Sequence, residues 1–86
     1  MAGKLLFFGK LADLSGTAEW PMPAFDGTLD RAALIARIAG TAPDLAGALA
    51  APTVRLCINQ EILAPGDAVA ISPGDEVAFL PPMSGG

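Results

Sequence analysis

Residues 74–86 read GDEVAFLPPMSGG, and this run sets the centre of the fold and its most unusual feature. Gly74-Asp75 is a turn. Residues 76–80 read as a strand, with Val77 and Phe79 on one face and Ala78 and Leu80 on the other. Pro81-Pro82 removes two backbone donors and ends it. Two prolines also hold the chain extended, so the last six residues reach on the order of 20 Å at about 3.1 Å per residue. Gly85 and Gly86 carry no side chains, which makes the tip narrow and its carboxylate unshielded, a shape suited to threading a slot in another protein. The chain therefore divides into a folded domain, residues 1–80, and a flexible, extended C-terminal arm, residues 81–86.

A strand this apolar belongs inside a sheet, and its match is KLLFF at 4–8, ended by Gly9. Leu11, Ala12 and Leu14, closed by Ser15-Gly16, predict one helical turn. TAEWPM at 17–22 alternates, and Pro21 confines that strand to a sheet edge. Asp26-Gly27 breaks the chain, Thr28 reads as an N-cap, and Asp30 falls in the first turn of the main helix. On a helical wheel Leu29, Ala32, Ile35, Ala36 and Ala39 form the apolar face, and Leu34 lands beside the charged Asp30 and Arg37. Gly40 stops the helix. Between Pro43 and Pro52 an alanine-rich stretch predicts a second short helix capped by Asp44.

VRLCINQEIL at 54–63 reads as two strands joined at Asn59-Gln60, with Val54, Leu56 and Ile58 on one face and Arg55 and Cys57 on the other. APGDAVAI and SPGDEVAF follow as a near repeat, read as two Pro-Gly turns that each feed a short strand. The order predicts an α+β domain. A mixed sheet of about five strands is crossed by one main helix, and the first and last strands pair in the centre.

Composition narrows function. Among 86 residues, 17 of the 45 hydrophobic ones are alanine, leaving 28 larger apolar side chains, enough for one core. A formal charge of −4 repels phosphate backbones and argues against nucleic-acid binding. The lack of histidine and the single Cys57 leave no metal site of ordinary Cys/His type, no imidazole base and no intrachain disulfide. Cys57 reads as a structural residue. Apolar runs are too short for a signal peptide or a membrane span, so a cytoplasmic location and no membrane partner are expected. The carboxylates are scattered, and the adjacent Asp75 and Glu76 diverge in a strand, so no internal active site is expected.

The run GDEVAFLPPMSGG, together with LFF at 6–8 and INQE at 58–61, closely resembles the small subunits of molybdopterin synthases. That family belongs to the ubiquitin-like sulfur carriers with a β-grasp fold. The resemblance covers the whole chain in length and element order. Two departures are conservative: Leu80 stands where the family often has phenylalanine, and Met83-Ser84 where valine-threonine is common.

The resemblance implies a β-grasp domain that carries sulfur on its terminal carboxyl. A partner adenylating enzyme of the ubiquitin-activating type uses ATP to convert the Gly86 carboxylate to an acyl-adenylate, and sulfur then replaces AMP to give a thiocarboxylate. Activation is needed because an anionic carboxylate is a poor electrophile, and the mixed anhydride supplies a leaving group. The thiocarboxylate donates sulfur to cyclic pyranopterin monophosphate on the large subunit, building the dithiolene of the molybdenum cofactor. On this reading Gly86 is the reacting residue. Gly85, Ser84, Met83, Pro82 and Pro81 bind the partner's channel, and Leu80, Phe8 and Leu6 form the partner interface. The chain holds no permanent cofactor or metal, and the catalytic side chains belong to the large subunit. Carriers for thiazole, tungsten-cofactor or tRNA sulfur, and ubiquitin-like protein modifiers, share the fold and the final glycines.

Overall fold

The chain runs β1 (Lys4–Phe7), α1 (Lys10–Ser15), β2 (Glu19–Pro21), α2 (Arg31–Ala39), α3 (Pro43–Leu49), β3 (Arg55–Ile58), β4 (Glu61–Ile62) and β5 (Glu76–Leu80) in the computed structural model, which describes residues 3–64 and 67–82. The five strands form one mixed sheet in the order β2-β1-β5-β3-β4. β1 and β5 run parallel at its centre, with Lys4 opposite Glu76 and Phe7 opposite Phe79, and every other pairing is antiparallel. This is a β-grasp arrangement. None of the described helices is long and apolar enough to cross a membrane.

Alternation explains which side of the sheet is covered. Leu5, Phe7, Val77, Phe79 and Leu56 are buried on the inner face, where Leu34 and Ile38 of α2 and Leu45 and Leu49 of α3 join the same cluster. Phe7 is the hub. Its ring stacks on Phe79 with centroids 5.8 Å apart and meets the edge of Trp20 at 5.5 Å, geometries that favour aromatic pairs beyond their area.

Local signals set most element ends. α1 stops at Gly16, whose φ of 81° is the left-handed conformation a side chain resists. The hairpin turn needs two such residues, and Asn59 and Gln60 take them at φ 51° and 71°. Gln60 is a poor choice by itself; Asn59 offsets it by tying the turn to β5. Its N–H donates to Glu76 O at 2.8 Å, its Nδ2 donates to Asp75 Oδ1, and its Oδ1 accepts from Glu76 N–H.

The main helix departs from the sequence reading in two ways. Its N-cap is Asp30, which accepts from Ala33 N–H at 2.7 Å, and not Thr28. Leu29 is held extended by an antiparallel bridge to Ile71, 2.9 and 2.8 Å in the two directions, so the helix begins only after it. Its buried face is Leu34 and Ile38, while Ala32 and Ala36 are exposed. Alanines weigh on a wheel as apolar but gain little from burial, so the two large side chains decide the rotation. Arg31 lies on the same stripe and donates to Leu49 O at 2.7 Å and Ala51 O at 3.0 Å, satisfying carbonyls at the C-terminal end of α3. Gly40 caps α2 in the right-handed conformation.

α3 starts at Pro43, whose missing N–H costs nothing at that position. Asp44 sits in its first turn; the N-cap is Ala42, with no side-chain bond. The near repeat is a repeat of turns. Ala64 N–H donates to Asp67 Oδ2 and Asp67 N–H to Ala64 O, and Ser72 and Asp75 repeat both bonds at the same 2.8 and 3.0 Å. Pro65-Gly66 lie outside the described residues. Only the second copy feeds a strand; the first reaches the single bridge at Ile71.

Replacing Arg31 with methionine removes two charge-assisted bonds but keeps the stem's packing. The expected loss is about 1.5–3 kcal/mol of unfolding free energy in urea, with an unchanged denaturant slope. Asn59→Ala should cost about 1–2 kcal/mol, and Asn59→Gly less, because glycine restores the left-handed backbone without the side-chain bonds.

Candidate functional site

Strand register builds the opposite, outer face. Lys4 and Leu6 of β1, Glu76, Ala78 and Leu80 of β5, and Arg55 and Cys57 of β3 alternate with the buried inner residues. The two-residue hairpin turn pairs Cys57 with Ile62, which brings Ile62 onto the same face. One continuous row therefore crosses all five strands: Glu19, Leu6, Ala78, Cys57 and Ile62. Its middle is apolar. Ile62 is 65% exposed and Phe8, just beyond β1, is 46% exposed, while Leu6 and Leu80 are half-buried. Ala78 is small enough to be covered by its neighbours.

Charge marks the ends of this face. At one end Lys4 Nζ lies 3.9 Å from Glu19 and 3.8 Å from Glu76, so both carboxylates share one cation. At the other end Arg55 stands opposite Leu80, where the strand gives way to Pro81. Because β1 and β5 are parallel, Phe8 and the start of the arm leave the sheet at the same edge. Pro81 is half-buried there and lies against Gly9, where a Cβ would come within 3.1 Å of its ring. Pro82 is exposed.

The residues expected from sequence at the partner interface, Leu6, Phe8 and Leu80, thus fall at one face and edge beside Pro81 and Pro82. Met83, Ser84, Gly85 and Gly86 lie outside the described residues. Ile62 was not anticipated, although the Asn59-Gln60 turn fixes its register opposite Cys57. Cys57 is half-buried in the outer row and not part of the core.

A groove of about 410 Å³ is lined by Asp30, Arg31, Arg55, Leu56, Leu63 and Asp67 among others. Three of its polar groups are engaged, since Asp30 caps α2, Arg31 binds backbone carbonyls and Asp67 closes a turn, while the Arg55 side chain has no partner among the described residues. No cluster of three metal-ligating side chains occurs among the described residues.

Known proteins share this sequence pattern and fold. Residues 5–86 match the model of the ThiS family. A molybdopterin synthase sulfur carrier subunit from Chlamydomonas reinhardtii is 36% identical over 83 residues, 96% of each chain. The crystal structure of small archaeal modifier protein 1 from Haloferax volcanii superposes with a TM-score of 0.73 at 25% identity, covering 100% of both chains. The solution structure of its counterpart from Methanosarcina acetivorans gives 0.75 at 20% identity, covering 98% and 95%. The chain belongs to the ThiS family, with the ubiquitin-like fold.

The two faces of the sheet should respond oppositely to truncation. Phe7→Ala is expected to cost about 3–5 kcal/mol of stability, through lost burial and a cavity. Ile62→Ser should stay within about 0.5 kcal/mol of the parent in the same urea titration.

Proposed function

We propose that this protein is the sulfur carrier subunit of a molybdopterin synthase, acting in the cytoplasm. The observation that carries the reading is the junction Leu80-Pro81-Pro82 at the end of the central strand, on the edge bordered by the apolar outer face. The Chlamydomonas relative, named for this role, supports it at 36% identity along nearly the whole chain.

The division of labour follows. The folded domain docks through Leu6, Phe8, Leu80 and Ile62, an apolar surface that a partner removes from water. Docking aims the arm, and Met83 to Gly86 enter the partner's channel, where glycine's lack of a side chain lets the carboxyl reach the reacting groups. An adenylating enzyme spends ATP to form the Gly86 acyl-adenylate with release of pyrophosphate. Sulfur displaces AMP, and the thiocarboxylate sulfur attacks an oxygen-bearing carbon of the pterin precursor held by the large subunit, forming a C–S bond as the C–O bond breaks and the oxygen leaves protonated. Hydrolysis of the acyl link returns the Gly86 carboxylate for another cycle. The protein is a donor that is consumed and recharged, while the catalytic side chains stand on the large subunit.

The likeness to small archaeal modifier proteins favours one alternative, in which the same activated carboxyl is joined to lysines of other proteins. Mass spectrometry separates the two. A carrier gains about 16 Da, sulfur for oxygen, when incubated with its adenylating enzyme, ATP and a sulfur donor, whereas a modifier gives ladders of larger conjugates. The charged form mixed with the large subunit and cyclic pyranopterin monophosphate should yield molybdopterin. One residue added after Gly86 should abolish both the mass gain and the product without shifting the urea midpoint. An extended form that remains active refutes the terminal-carboxyl mechanism.

A further inference from the structure

We propose that Arg55 is a specificity-determining cation of the docking face. It meets an acidic group on the large subunit of molybdopterin synthase, beside the channel that receives the arm. The inference rests on the docking reading above and adds the polarity of that contact.

Of the five cations, Lys10 and Arg55 are exposed with no partner among the described residues, and of these two only Arg55 stands on the outer face of the sheet, Lys10 being the first residue of α1. Lys4 is shared between Glu19 and Glu76. Arg31 is bound to the carbonyls of Leu49 and Ala51. Arg37 donates to Ala24 O at 3.2 Å and lies over the Phe25 ring. Arg55 is exposed, and among the described residues no carboxylate or carbonyl pairs with its guanidinium. Its cross-strand neighbour is Leu80, the last residue before the arm. In a chain of net charge −4, a cation with no partner among the described residues thus stands at the Pro81 end of an otherwise apolar patch, while the two carboxylates at the far end share Lys4.

That placement has a consequence for any partner covering the patch. Apolar contact strips water from the guanidinium, which is unfavourable unless an acceptor replaces it. Arginine presents a rigid planar fork of N–H donors that fits a carboxylate through two bonds. A partner with an acidic group at this point docks in one direction, and that direction points the arm into its channel. The attraction also steers encounter, a rate effect that salt weakens.

The test measures binding of the full-length chain to the large subunit encoded in the same genome, by stopped-flow or surface plasmon resonance across salt. Arg55→Glu is compared with the double variant Ala32→Glu/Ala36→Glu, which makes the same −2 change in charge on exposed positions of α2. Arg55→Glu should slow association about tenfold or more at low ionic strength, against about twofold or less for the control. The gap should close toward 1 M salt, where the screening length is about 3 Å. Arg55→Lys should keep most of the rate, and all variants should share the parent's urea midpoint. Equal rates for Arg55→Glu and the control overturn the inference alone. A parent chain that fails to bind this subunit overturns the functional reading and the inference with it.

Discussion

The parallel pairing of β1 with β5 is the constraint on which everything else in this molecule rests. It joins the two ends of the folded chain, Lys4 against Glu76 and Phe7 against Phe79, and all other elements are attached to that central ladder. Parallel strands cannot be joined by a tight turn, so the long stretch between them must cross over and cover a face. It does so with α2 and α3, whose leucines and isoleucine close the core over Phe7 and Phe79. The stacked aromatic pair is at once the centre of the core and the weld between the two strands.

The same pairing sets the geometry of the candidate site. A parallel pair ends both strands at one edge, so the last residue of β5 and the first residue after β1 emerge together. An antiparallel pair would send them to opposite ends of the sheet, and Pro81 would lie far from Phe8. Helices cover only one side of the sheet, so alternation leaves the other side for contact. Its middle row is apolar because Leu6, Ala78, Cys57 and Ile62 fall into register across four strands. The edges, by contrast, are closed to further strands. Pro21 has no donor on one side, and β4 is only two residues long on the other.

Much of this was legible in the residues. The extent of β5, that of β1 to within one residue, the edge position set by Pro21 and the Asn59-Gln60 hairpin all follow from signals of short range. Where reading failed, the cause was a contact with something distant in sequence. Thr28 has the chemistry of a cap, but the bridge from Leu29 to Ile71 keeps the backbone extended one residue too far for it to serve. The rotation of α2 was misread because five apolar residues, three of them alanine, outweighed Leu34 and Ile38 on a wheel. In the folded chain the volume of side chain delivered to Phe7 and Phe79 matters more than the count. Arg31 was invisible as a structural residue, since its partners are backbone carbonyls of α3.

The sequence by itself determined the kinds of element, the apolar central strand and the Pro81-Pro82 pair that ends it. These depend on φ preferences, alternation and missing donors, which neighbouring residues settle among themselves. Only the tertiary structure decided which face of α2 is buried, that Ile62 and Arg55 share a surface with Leu6, and that this surface borders Pro81. Those are relations between residues far apart along the chain, and the register of the sheet, which fixes them, exists only once the first and last strands have met.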